Sequence, residues 1–115
     1  MISGLDLDQT VDYILERDKE NPTVWKLGIL SSVLYTRITS TTENPLEAAF
    51  KCIQIGLKGW DNFDIPFRTE KETIFGKEYD VIPLDIVERI SMKDLTELYD
   101  RILVVNNLKE DERKN

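Results

Sequence analysis

Between Asn44 and Phe63 the chain reads NPLEAAFKCIQIGLKGWDNF, and Leu46, Ala49, Phe50, Ile53 and Leu57 recur at spacings of three, four and seven. That period gathers apolar groups on one face of a helix. Asn44 is a preferred N-cap type, Pro45 fits the first helical turn, and Glu47 completes a capping-box-like pattern. Gly59 is placed to stop the helix, and Trp60 and Phe63 then carry two large rings back toward the core.

Upstream, Val11–Glu16 (VDYILE) alternates and is rich in strand formers, Arg17–Pro22 (RDKENP) is a polar turn, and Thr23–Leu30 (TVWKLGIL) continues apolar. Val11–Leu30 therefore reads as a β-hairpin, with a helix over Val11–Lys19 as its rival. Ser31–Ile38 predicts a short helix capped by Ser31 or Ser32, and Thr39–Thr42 a polar connector. Downstream, Asp61–Pro66 is loop-like. Phe67–Ile74 and Glu78–Ile82 predict a second hairpin turning at Phe75-Gly76-Lys77. Pro83 opens a short helix through Leu84, Val87 and Ile90. Ser91 with Asp94 starts the last helix, which presents Leu95, Leu98, Tyr99, Ile102, Val105 and Leu108 and pairs Glu97 with Arg101 across one turn. The fold class this predicts is α+β: two β-hairpins packed with a central amphipathic helix and a C-terminal helix in a single domain. Residues 1–10 form an acidic lead-in, either flexible or the start of an edge strand. Residues 11–108 are the domain, and 109–115 (KEDERKN from Lys109) a charged tail.

A chain of 115 residues with 41% hydrophobic composition is long enough to bury a core without disulfides or metal. No apolar run approaches the ~20 residues of a membrane span, and the first ten residues lack a signal-peptide pattern, which predicts a soluble cytoplasmic protein. The net charge is −7. It argues against direct nucleic-acid binding, which needs cations to displace counterions from phosphate, and it suits a basic partner surface. One cysteine, Cys52, rules out an intramolecular disulfide and a cysteine-based zinc site, and beside the helix stripe it reads as a small buried thiol.

With no histidine, the commonest general base and metal ligand is missing. Five scattered glycines build neither a phosphate loop nor a dinucleotide fingerprint. Asp6-Leu7-Asp8 superficially resembles the start of a calcium loop, but the required glycine and glutamate positions hold Val11 and Arg17. No catalytic residue, cofactor-binding residue, metal ligand or small-molecule substrate is therefore expected. The candidates left are contact residues. Trp25, Trp60, Phe63 and Phe67 are either core or interface anchors, with core favoured for Trp60 and Phe63. The wide stripe around Tyr99 and Ile102 belongs either to the core or to a second subunit.

TVWKL at Thr23–Leu27, GLKGWDNF at Gly56–Phe63 and the final helix running into NNLKEDERKN at Asn106–Asn115 together resemble small proteins of the structural gene modules of tailed bacteriophages and prophages. The resemblance implies a non-enzymatic structural or assembly protein of a phage particle. Such a protein acts through contacts with other phage structural proteins and through self-association as a homo-oligomer. It places the protein in the host cytoplasm during assembly and, for a structural component, in the virion. A tail-assembly chaperone or an acidic adaptor or regulatory module are the alternatives.

Overall fold

The computed structural model describes residues 1–110 of the chain, so the expected tail Lys109–Asn115 lies, beyond Glu110, outside them. Strands β1 (Val11–Tyr13) and β2 (Val24–Leu27) pair antiparallel, with Tyr13 opposite Trp25 and Val11 opposite Leu27. The first hairpin is thus present, and its rival helix is not. Its connecting turn is held by Asp18, whose carboxylate accepts the Thr23 N–H at 2.8 Å.

The largest departure from expectation follows the central helix. Helix α2 (Pro45–Gly56) ends at Gly56 instead of Gly59, and Leu57–Asp61 forms strand β3 on the far side of β2. A Cβ at Gly56 would meet Ile102 Cγ2 at 3.0 Å, so glycine lets the last turn of α2 lie close against the C-terminal helix. Lys26 pairs with Gly59 and Leu27 with Leu57, leaving Lys58 as a bulge residue. The bulge matters because side chains alternate along a strand. Leu57 and Trp60, three apart, would otherwise face opposite ways; with Lys58 extra, both join Trp25 and Leu27 on the core face. The opposite face carries Lys26, whose ammonium bridges Asp12 at 3.0 Å and Asp61 at 3.5 Å.

The second sheet is the expected hairpin, with β4 (Glu70–Ile74) starting three residues later than expected and β5 (Lys77–Val81) one residue earlier, so that Lys77, expected in the turn, pairs with Ile74. Its turn is the two residues Phe75-Gly76, with φ of 50° and 80°. Positive φ at both central positions matches the twist of an antiparallel pair. The end of β5 docks on α2: Gln54 Nε2 donates to Ile82 O at 2.8 Å, and Ile82 N–H returns to Gln54 O at 3.1 Å.

Helix α1 (Ser32–Thr41) is capped by Ser31 and takes in most of the expected connector. The Thr39 and Thr41 hydroxyls donate to carbonyls four residues back, so these polar residues continue the helix instead of breaking it. Asn44 caps α2 by accepting from the Leu46 N–H at 2.9 Å. Pro83 precedes the short α3 (Leu84–Val87), and Ser91 caps α4 (Met92–Val105) by accepting the Asp94 N–H at 3.2 Å. Helix α4 stops before the expected Leu108. Asn107 takes φ 58°, its N–H donates to Val104 O, and Leu108 N–H donates to Leu103 O, a Schellman end with asparagine in the left-handed position. The Asn106 side chain then ties this end to the segment after β2, accepting from Leu30 N–H and donating to Gly28 O, both at 3.0 Å.

The core lies between the sheet face of Trp25, Leu27 and Leu57 and helices α2 and α4, with Leu34 and Ile38 of α1 closing one side. Helix α2 sits at its centre and touches α1, α3, α4, β3 and β5. Its buried face is Ala48, Cys52, Ile53 and Ile55, rotated from the expected stripe, and Leu46 is exposed. The fold class is α+β, built on two antiparallel sheets and four helices in one domain.

Candidate functional site

The structure divides the six candidate contact residues into two groups. Trp25, Trp60, Phe63 and Phe67 meet on one patch of the three-stranded sheet, because the register puts Trp25 opposite Trp60 and the chain after β3 folds Phe63 and Phe67 back over them. Ring centroids lie 5.7 Å apart for Trp25–Trp60, 4.9 Å for Trp25–Phe63, 5.2 Å for Trp60–Phe63 and 5.0 Å for Trp60–Phe67, mostly edge to face. Trp25 is only 3% exposed. Trp60 and Phe63 are half-buried, and the Trp60 indole donates to Ile65 O at 2.7 Å. Phe67 is the outermost ring.

Tyr99 and Ile102 are elsewhere, on α4. Ile102 is fully buried against Gly56, and half-buried Tyr99 meets Tyr35 of α1; burial first, then that hydrogen bond, pushes its phenol up from the ordinary range. Trp25 and Ile102 are therefore enclosed by their own chain and present no surface to a partner. Most of the α4 stripe is likewise core: Leu95, Leu98, Ile102 and Leu103 are buried, and Val105 and Leu108 pack against them.

One open apolar surface is in a place the hydrophobic pattern did not single out. A groove enclosing about 350 Å³ runs between α2, α3 and α4. Its floor is Phe50 of α2 with the buried Val87, Ile90 and Leu95, and its lips are Leu84, 54% exposed, and Met92, 52% exposed. Leu46 stands one turn before Phe50 on the same side of α2 and is as exposed as Leu84. Two acids, Glu47 and Glu88, are the charged residues lining it. A local signal was present in the sequence: Leu84 and Met92 open their helices and Leu46 is second in its own, positions where polar or acidic residues are favoured by the unpaired N–H groups.

The groove's α4 wall is fixed by charge. Asp94, buried beside Leu95, accepts from Arg17 Nε at 2.9 Å and Nη2 at 2.5 Å. This two-pronged contact, with the Ser91 hydrogen bond, holds the Asp94 carboxyl below its ordinary range despite burial, and raises Arg17 in turn. Next to it Glu97 accepts from the Tyr13 hydroxyl and from the Glu16 N–H, while the Arg101 guanidinium lies 5.3 Å from the centroid of the Tyr13 ring. These contacts lock the β1–β2 turn to α4. Cys52 is fully buried, and desolvation pushes its thiol up to about 11, which makes it an inert core group. Lys58 lays its stem across Gly28, and burial pulls its ammonium below the ordinary range, partly offset by Asp80.

Among the described residues no group of three or more His, Cys, Asp and Glu side chains is disposed to hold a metal ion, and no helix is long and apolar enough to cross a membrane. Comparison of the chain with protein-family models, with curated proteins and with solved structures gave no match.

Proposed function

We propose that this protein is a non-enzymatic protein-binding module, a structural or assembly protein of a tailed-phage particle. The observation that carries the binding part is the α2–α3–α4 groove, where Leu84 and Met92 stay half-exposed at the mouth of a buried apolar floor. Solvent-facing apolar groups clustered around a concave floor are a common mark of protein contact sites. The phage part rests on the resemblance of TVWKL and GLKGWDNF, which lie side by side as β2 and as the end of α2 running into β3. Those segments build the fold, so the resemblance supports a scaffold shared with such proteins more than a shared contact. The outer edge of β1 offers unpaired backbone groups for self-association.

Purified particles from a host carrying the gene provide the test. Detection by quantitative mass spectrometry at a symmetric copy number is the expected result. Absence from particles while the protein is abundant in the lysate overturns a place in the virion. The groove then favours the chaperone alternative, in which an apolar helix is held until assembly and released.

A further inference from the structure

We infer that the groove between α2, α3 and α4 receives a cationic amphipathic helix of a partner protein, an inference that rests on the protein-binding reading above. A helix that presents apolar residues at i, i+3, i+4 and i+7 fits a floor of this kind, with its anchors between the Leu84 and Met92 lips. Charge then selects among helices. The charged residues lining the groove are Glu47 and Glu88, and neither carboxylate has an ion pair or hydrogen bond among the described residues.

Of the neighbouring charges, Lys51 binds Glu72 at 2.6 Å and Asp85 is held by Arg68, while Lys93 borders a different depression with Tyr13 and Glu97, and Arg89, next to Glu88, is not among the residues lining the groove. Two uncompensated acids on an apolar groove, in a chain of net charge −7, complement Lys and Arg flanking an apolar stripe. The same acids argue against a second copy of this chain. A two-fold contact through the groove would bring the Glu47 and Glu88 pairs of both copies onto one apolar patch. The exposed apolar residues Leu5 and Leu7 are interleaved with Asp6 and Asp8, which carry the wrong sign for this site.

The full chain is titrated into three labelled peptides of about four helical turns, followed by fluorescence anisotropy at low and high salt. One has leucines at amphipathic spacing on a lysine background, one is its scramble, and one carries glutamate in place of lysine. The ordered leucine–lysine peptide is expected to bind most tightly, with affinity falling as salt rises. Leu84→Ser and Met92→Ser, both at exposed positions, are each expected to weaken it about tenfold, the loss of one interface anchor. Glu47→Lys with Glu88→Lys is expected to shift preference to the leucine–glutamate peptide, and Val33→Ser, exposed on α1 outside the groove, to change nothing.

Equal affinity for the scramble, or unchanged affinity in both serine variants, overturns the inference. So does a dimer in sedimentation that Leu84→Ser dissociates, because the occupant is then a second copy. If the protein is found in particles and the peptide fails in one of these ways, the groove assignment alone falls. If the peptide behaves as expected and particles lack the protein, the virion reading alone falls.

Discussion

The aromatic cluster on the β1–β2–β3 sheet and the groove between α2, α3 and α4 both concentrate apolar surface, and the chain disposes of it in opposite ways. In the cluster, Trp25, Trp60 and Phe63 all touch one another and Phe67 packs on Trp60 from the outside, so the rings cover each other. In the groove, Val87, Ile90 and Leu95 are buried by neighbours, but Leu84 and Met92 are left about half-exposed. Residue type points the wrong way here. Tryptophan is the side chain most enriched at hot spots, yet Trp25 is consumed by its own fold, while a leucine and a methionine stay available. A contact residue is defined by what its own chain leaves uncovered.

The sharpest way to break that comparison is to truncate one residue from each region. Trp25→Ala is expected to cost about 3–5 kcal/mol, the usual loss for a buried large aromatic, read by urea denaturation. A loss under about 1 kcal/mol would mean the cluster is not core. Cys52 supplies a second readout. In the folded wild type its buried thiol should resist a thiol-specific disulfide reagent at mildly alkaline pH, and it should react readily once Trp25→Ala opens the core.

Asp94→Asn acts on the α4 wall of the groove and is expected to cost about 1–2 kcal/mol at neutral pH, discounted because Arg17 is largely exposed. The Asp94 carboxyl is depressed in the folded state, so its contribution is full above its unfolded value near 4 and fades as pH falls through the lower folded value. The stability gap between wild type and Asp94→Asn should therefore close on acidification below about pH 4. A gap that stays constant would remove the ion pair from the explanation.

Phe75→Asn is expected to stabilise by about 1 kcal/mol, because Asn-Gly suits the two left-handed positions that Phe75-Gly76 now occupies. A net loss would show that the contact with Arg37, whose guanidinium lies 6.0 Å from the Phe75 centroid, outweighs the backbone strain. Leu84→Ser and Met92→Ser should change stability least, by less than about 0.5 kcal/mol, as expected of exposed positions. A large loss in either would make the groove a piece of core.

Much of the fold was legible because its signals are local. Asn44, Ser31 and Ser91 cap helices through N–H groups two or three residues away, and the Phe75-Gly76 turn needs only two residues to reverse the chain. Strand β3 was not legible. Leu57 fits a helical stripe as well as a strand face, and the choice between them comes from β2, distant in sequence, which supplies the hydrogen-bonding edge. The same change of period explains why Gly59 looked like a helix end when it pairs with Lys26 inside the sheet.

The groove was legible only in part. Apolar residues at the first turns of three helices mark Leu46, Leu84 and Met92 as unusual, but no spacing shows that α3 and α4 stop short of covering them. The sequence by itself determined the α+β class, the caps, the buried thiol and the excess of acid, since each depends on composition or on neighbours along the chain. Only the tertiary structure decided where α2 becomes β3, which aromatics are enclosed, and that Glu47 and Glu88 share one apolar groove. Those outcomes depend on pairings between segments far apart in the chain, where packing and register, not local preference, settle the balance.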